Sequence, residues 1–257
     1  MSARILLFDI ETAPLAGYFW GMWKQNIPYA RVREEWYMLT WAAKWLDEEE
    51  IMYDSNHLHR GKTDKAICKS LHGLLDEADI VVAHNGNRFD IPKVNTRFIS
   101  HGMSPPSPFR KIDTLKEARK HFNFTSNRLD TLGEILGLGR KVENAGWELW
   151  EGCMNGDPEA YEQMVEYNIG DITLLEDVYL TLRPWMSNHP NVSTYDEAET
   201  PQCPKCGGEH IHWRGKAHTQ AGSYHRFQCQ DCGGWGRARR SDLSKEKRDT
   251  LLNNISG

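Results

Sequence analysis

Long apolar runs are missing from this chain. None approaches the roughly 18 residues needed to cross a bilayer, which excludes a membrane-spanning helix and leaves no membrane role to expect. The N-terminus runs straight into a short apolar strand without a signal-peptide pattern, so the expected location is cytoplasmic or otherwise intracellular. Cysteine is scarce as well. Of six in 257 residues, four form two C-x-x-C pairs while Cys68 and Cys153 stand alone, which argues against a disulfide framework and for metal binding. Cys68 reads as a small core residue and Cys153 as a free thiol. Internal repeats and low-complexity tracts are absent, leaving a globular chain. Charge is not in large excess: the net −5 divides into +5 for residues 201–257 and −10 for residues 1–200. An acidic body does not exclude nucleic acid, because carboxylates that bind metal become a phosphate site once loaded.

What is present begins with Leu6-Leu7-Phe8-Asp9-Ile10-Glu11-Thr12. The unbroken apolar run from Ile5 to Ile10 predicts a buried strand, and the two-residue repeat of a strand points Asp9 and Glu11 to one face. Two poorly solvated acids side by side call for a cation, and oxygen ligands suit Mg²⁺ or Mn²⁺. On their own, the same two residues also fit an edge strand with solvated acids. Ala13 to Trp36 is rich in aromatics without a sustained period and reads as a long ordered loop with helical turns. Tyr37–Leu46 and Ile51–Asp54 read as a hairpin across the acidic turn Asp47–Glu50. Helical spacing covers Lys65–Glu77, a short strand Ile80–Ala83, and a helix runs from about Phe89 to His101. Arg110–Asp113 is a last strand, followed by helices Leu115–Phe122 and Leu129–Leu136, the latter closed by Gly137 and Gly139. A long helical pattern from Asp157 to about Trp185 has an expected break near Gly170. The order of elements describes an α/β domain, residues 1–186, with a mixed five-stranded sheet; residues 187–200 form a polar linker and residues 201–257 a second small domain.

Two further acids can join the first pair. Asp90 follows the Ile80–Ala83 strand and opens a helix, with Pro92 in its first turn, near the carboxyl edge of the sheet. Tyr167 and Asp171 lie four apart and share a helix face. The segments FDIET, AHNGNRFD and YNIGD, in this order, resemble the three motifs of the DnaQ-like DEDD 3′–5′ exonucleases, with the Tyr-x-x-x-Asp spacing resembling the DEDDy branch. Ile112-Asp113-Thr114-Leu115 and the stretch SNRLDTLGEILGLGRK are similar to the family too. The resemblance covers about residues 4–183.

That resemblance implies an RNase H-like fold and two divalent ions, with Asp9 bridging, Glu11 and Asp171 on the ion that activates water, and Asp90 on the second. Tyr167 would orient that water; its alternative is a core tyrosine. Thr12 and Leu15 would line the pocket for a terminal nucleotide, with Asn85 near the sugar and phosphate and Phe89 in the core. His84 is assigned to the loop or to support of the ligands. Trp20 and Trp23 either stack on an unpaired base or pack the long loop down. The expected activity is removal of nucleoside 5′-monophosphates from single-stranded DNA. A 3′–5′ exoribonuclease and a catalytically silent nucleic-acid-binding adaptor are the alternatives. A polymerase or another replication or repair protein is a conceivable partner.

Cys203-Pro204-Lys205-Cys206-Gly207 and Cys229-Gln230-Asp231-Cys232-Gly233 each place two thiolates on a tight turn. Four sulfurs select one structural Zn²⁺ in a closed site, and the intervening residues resemble a zinc ribbon, with a long hairpin loop expected at Gly215–Gly222. Arg214, Arg226 and Arg237, interleaved with aromatics, fit a strand-gripping surface; the alternative is a ribbon that docks protein.

Overall fold

The computed structural model describes residues 2–59, 63–140 and 146–252. It divides into two compact units: Arg4–Tyr179, and Met1–Ala3 together with Leu180–Gly257.

In the larger unit, strand β1 (Ile5–Thr12) continues two residues past the apolar run. A two-residue β2 (Ala16–Gly17) pairs with β3 (Val32–Glu34), and a single 3-10 turn at Tyr29–Arg31 precedes the latter, so the aromatic loop is tied at its two ends. β4 (Met38–Trp45) and β5 (Ile51–Ser55) form the expected hairpin. Then come α1 (Lys65–Glu77), β6 (Ile80–Ala83), α2 (Asp90–Ser100), β7 (Arg110–Asp113), α3 (Thr114–His121) and α4 (Leu129–Leu136). Gly137 ends α4 in the left-handed conformation at φ 71°, where a side chain would be strained. A short helix α5 (Trp147–Met154), not foreseen from the sequence, leads to α6 (Pro158–Leu182). Contrary to expectation α6 is unbroken at Gly170. A helical glycine costs about 1 kcal/mol, and the buried Asn168, Asp171 and Ile172 around it outweigh that cost by packing. Lys141, at the end of the SNRLDTLGEILGLGRK stretch, and residues 253–257 of the basic tail lie outside the described residues.

The sheet is mixed and five-stranded, ordered β5-β4-β1-β6-β7, with β1 antiparallel to β4 and parallel to β6. Strand alternation then sorts the chemistry from the support. Leu6, Phe8 and Ile10 point into a core with Trp41, Ala43 and Trp45 of β4, Ile67, Leu71 and Leu75 of α1, and Val94 and Phe98 of α2. Each buried Leu, Ile, Val or Phe side chain among them contributes roughly 1.5–3 kcal/mol. The odd-numbered face meets α6: Lys44, paired with Leu7, reaches Glu176 of that helix in a half-buried ion pair. A second core, Leu39 with Leu149, Cys153, Tyr161 and Met164, holds α5 and α6 there. Cys153 is therefore a core residue like Cys68, and burial pushes both thiols up to about 12. Such thiols are inert at neutral pH.

In the smaller unit, a 3-10 turn Val192–Tyr195 lies within residues 187–200, and the Val192 N–H donates to Pro204 O at 2.9 Å. Strands β8 (Ile211–Thr219), β9 (Gly222–Cys229) and β10 (Trp235–Arg237) form an antiparallel sheet ordered β10-β9-β8. The expected long loop at Gly215–Gly222 is absent. Pairing instead runs to Thr219 and Gly222, a two-residue turn closes the hairpin, and the extra length is absorbed by a bulge between Trp213 and Lys216. Helix α7 (Lys245–Asp249) follows, opened by Ser244.

Candidate active site and zinc-binding cluster

Carboxylate oxygens of Asp9, Glu11 and Asp171 all lie within 4.8 Å of one another. β1 presents the first two from one face, and α6 lowers the third onto them. Two oxygens on one Mg²⁺ at about 2.1 Å are separated by about 3–4 Å, so small adjustments would bring this set onto a hard cation. Asp90, 2% exposed, stands beside them at the start of α2. Its Oδ1 accepts the N–H of Ile10 at 3.3 Å, fixing it to the residue between the two acids of β1. It lies outside the group of three that meets within 4.8 Å. Tyr167 is partly buried one turn before Asp171, its ring edge-on to Trp150 at 6.2 Å.

Three features of this site escaped the sequence reading. Asn168, fully buried, donates from Nδ2 to Asp9 Oδ2 at 2.7 Å and accepts from Thr40 Oγ1 at 3.2 Å. It orients a carboxylate 159 residues away. Its position three residues before Asp171 was the available signal. Lys93, one turn into α2, donates to Thr12 Oγ1 at 3.0 Å and lies 4.0 Å from the Trp36 ring centroid. Burial holds its pKa below the usual lysine range, against the pull of Asp90. Third, Trp36, Trp147 and Trp150 join Lys93 in walling a cavity of about 370 Å³ that Thr12 and Leu15 also line. The tryptophans come from segments with no local motif to mark them.

Asn85 sits elsewhere, on a cavity of about 650 Å³ with His84, Arg119 and residues 126–130. Its φ of 66° is a left-handed value that asparagine tolerates better than most residues. Asp113 holds the turn by accepting the N–H groups of Asn85 and Asn87 at 3.0 and 3.2 Å. His84 braces the same loop, bonding Thr114 Oγ1 and Asn127 O at 2.9 and 3.0 Å. Phe89 does not enter the core: it is 38% exposed, because α2 starts one residue later and Phe89 stays outside its buried face. Trp20 and Trp23 are 88% and 82% exposed rather than packed down.

Asp64, Cys68 and His101 also bring metal-ligating groups together. There Arg97 already supplies the cation, donating to both Asp64 oxygens at 2.7 and 2.5 Å.

The four cysteines meet in the smaller unit. The Sγ atoms of Cys203 and Cys232 are 3.7 Å apart, and those of Cys206 and Cys229 3.6 Å. A Zn–S bond of 2.3 Å makes the edge of a zinc tetrahedron about 3.8 Å, so the cluster fits the ion. Two near-identical turns build it. Gly207 and Gly233 take φ 75° and 76°, and the N–H groups of Gly208 and Gly234 each donate to the second cysteine of their pair at 3.4 Å. Hydrogen bonds among the crowded sulfurs push the Cys206 thiol up and hold Cys232 down. Arg214, Arg226 and Arg237 are exposed on the ribbon strands beside this cluster.

Among the described residues no helix is long and apolar enough to cross a membrane. No curated protein matches the chain. Among solved structures it is similar to the family B DNA polymerase from the hyperthermophilic archaeon Pyrobaculum calidifontis, at 17% identity and a TM-score of 0.51. That likeness, which is one of fold, covers 71% of this chain and only 25% of the polymerase. Fold and ligand clusters together are consistent with a nuclease-like enzyme acting on nucleic acid. Residues 6–183 match the RNase_H superfamily, to which this chain belongs.

Proposed function

We propose that the chain is a metal-dependent 3′–5′ exonuclease of the DEDDy type, releasing nucleoside 5′-monophosphates from single-stranded DNA. The observation that carries this reading is the meeting of Asp9, Glu11 and Asp171 from a strand and a helix far apart in sequence. With Asp90 they would hold two Mg²⁺ or Mn²⁺ ions. When bound, such a pair makes a water acidic and stabilises the attacking and leaving oxygens of an in-line displacement.

The chain's own side chains do the rest. Asn168 keeps Asp9 turned toward the site. The Tyr167 hydroxyl orients the attacking water, and Thr12 and Leu15 seat the terminal nucleotide in the cavity walled by Trp36, Trp147 and Trp150. Lys93, a cation inside that wall, faces the negative charge of the strand. Asn85 serves the sugar-phosphate, and Trp20 and Trp23 offer ring faces to unpaired bases. Residues 1–186 are the nuclease, 187–200 the linker and 201–257 the zinc ribbon, whose arginines help to grip the strand.

Strands labelled at the 3′ or the 5′ end test this with Mg²⁺ or Mn²⁺. The 3′ label is expected to leave at once as a mononucleotide, while the 5′-labelled strand shortens stepwise, and Asp171→Ala should remove the activity by 10³-fold or more. Degradation of RNA alone would assign an exoribonuclease, and full function in Asp9→Ala a silent adaptor.

A further inference from the structure

β8, β9 and β10 contain no aspartate or glutamate. Cross-strand partners share a face of a sheet. Trp235 pairs with Gln228 and Arg237 with Arg226, so these four, with Tyr224 two residues along β9, occupy one face. The opposite face is already satisfied. It carries the buried Ser223 and Phe227, and Asp242 reaches Lys216 and His225 there at 3.6 and 3.3 Å.

On the open face guanidinium and ring alternate. Arg237 lies 3.8 Å from the Tyr224 ring centroid, Arg226 4.9 Å from that of Trp235, and Arg214 reaches the same indole from the bulge at 5.9 Å. The arrangement is built rather than incidental. Arg226 Nε donates to Arg214 O at 3.1 Å, pinning it over Gly215, whose φ of 68° makes the bulge. A Cβ on Gly222 would sit 2.6 Å from the Tyr224 hydroxyl, so that glycine lets the ring lie back along the strand.

We propose that this face binds single-stranded nucleic acid, with unpaired bases stacked on Trp235 and Tyr224 and with Arg214, Arg226 and Arg237 on the phosphates. An acidic peptide would satisfy the guanidiniums but not the flat ring faces, and a duplex hides its base faces within the stack. The inference deepens the reading of the chain as one that acts on nucleic acid, yet it needs no catalytic metal.

The test uses the zinc-loaded full chain carrying Asp171→Asn, in EDTA-free buffer without Mg²⁺. Fluorescence anisotropy follows a labelled dT oligomer, a duplex of equal length and polyglutamate. The dT oligomer should bind most tightly, and Trp235→Ala and Tyr224→Leu should each weaken it about tenfold. Arg226→Gln should reduce the slope of log K against log salt by about 0.7. Tyr224→Leu keeps the bulk, and zinc content checks the fold of every variant. Unchanged dT affinity in both zinc-loaded ring variants overturns the proposal, and so does polyglutamate binding as tightly as dT, which would assign the face to an acidic protein. Those results leave the nuclease reading intact if Asp171→Asn is inactive. Conversely, an active Asp171→Asn would sink the nuclease but not this face.

Discussion

The cysteine cluster and the carboxylate cluster are assembled by opposite means. The thiols come from two short turns that differ little in geometry and whose own N–H groups bond the sulfurs. The acids come from a strand and a helix, and two hydrophobic cores hold those elements in place. A site made by local turns can rely on its ion for folding free energy. A site made by tertiary packing has to be folded first, and then holds like charges close together until a cation arrives. The first arrangement suits a structural metal and the second a catalytic one, which must exchange and leave room for substrate.

Chelation is the strongest way to break this contrast. Zinc removal, or Cys229→Ser, should unfold the smaller unit, since a structural zinc contributes about 10–16 kcal/mol of apparent binding free energy at pH 7. The unit Arg4–Tyr179 should keep its structure, as read by limited proteolysis and hydrogen exchange. Loss of protection in both units together would deny that they differ.

Asp64 sharpens the contrast from the other side, because its buried charge in the larger unit is balanced by the Arg97 guanidinium. Burial alone would raise its pKa, but hydrogen bonds from Arg97, the Met38 N–H and His101 outweigh that and hold it below the usual carboxylate range. A carboxyl depressed in the folded state adds stability that is complete above its unfolded value, near 3.9, and lost as pH falls through the folded value. Asp64→Asn leaves Arg97 buried without its counter-charge and should cost about 3–5 kcal/mol at pH 7 in urea unfolding. The gap between variant and wild type should narrow below about pH 4. The smallest effect is expected at Asn168. Asn168→Ala should lower activity or raise the Mg²⁺ requirement about 10- to 100-fold, as loss of a group that orients a ligand does, and should cost about 1–3 kcal/mol of stability because the buried Thr40 hydroxyl loses its acceptor. An unaltered Mg²⁺ titration would show that Asp9 needs no such orientation.

Much of the larger unit was legible because its strands are short apolar runs bounded by breakers, with Asp9 and Glu11 toward the end of one and Asp90 opening the helix after another. The Cys-x-x-Cys spacing likewise declared the zinc cluster. Asn168 and Lys93 were not legible, since a polar residue within a helix carries no mark of the distant carboxylate or hydroxyl it will meet. Trp36, Trp147 and Trp150 converge only through tertiary packing. Gly170 misled for a related reason: its local cost is real but smaller than the packing around it. The hairpin turn of the ribbon was misjudged because a bulge can absorb extra residues that spacing alone assigns to a loop.

One strand lets reactivity and cohesion share a single phase. Sliding β1 by one position would drive Asp9 and Glu11 into hydrocarbon and expel Phe8 and Ile10 from it. An insertion between Leu7 and Phe8 therefore has no neutral outcome, and even a conservative extra valine there would abolish chemistry and folding in the same stroke.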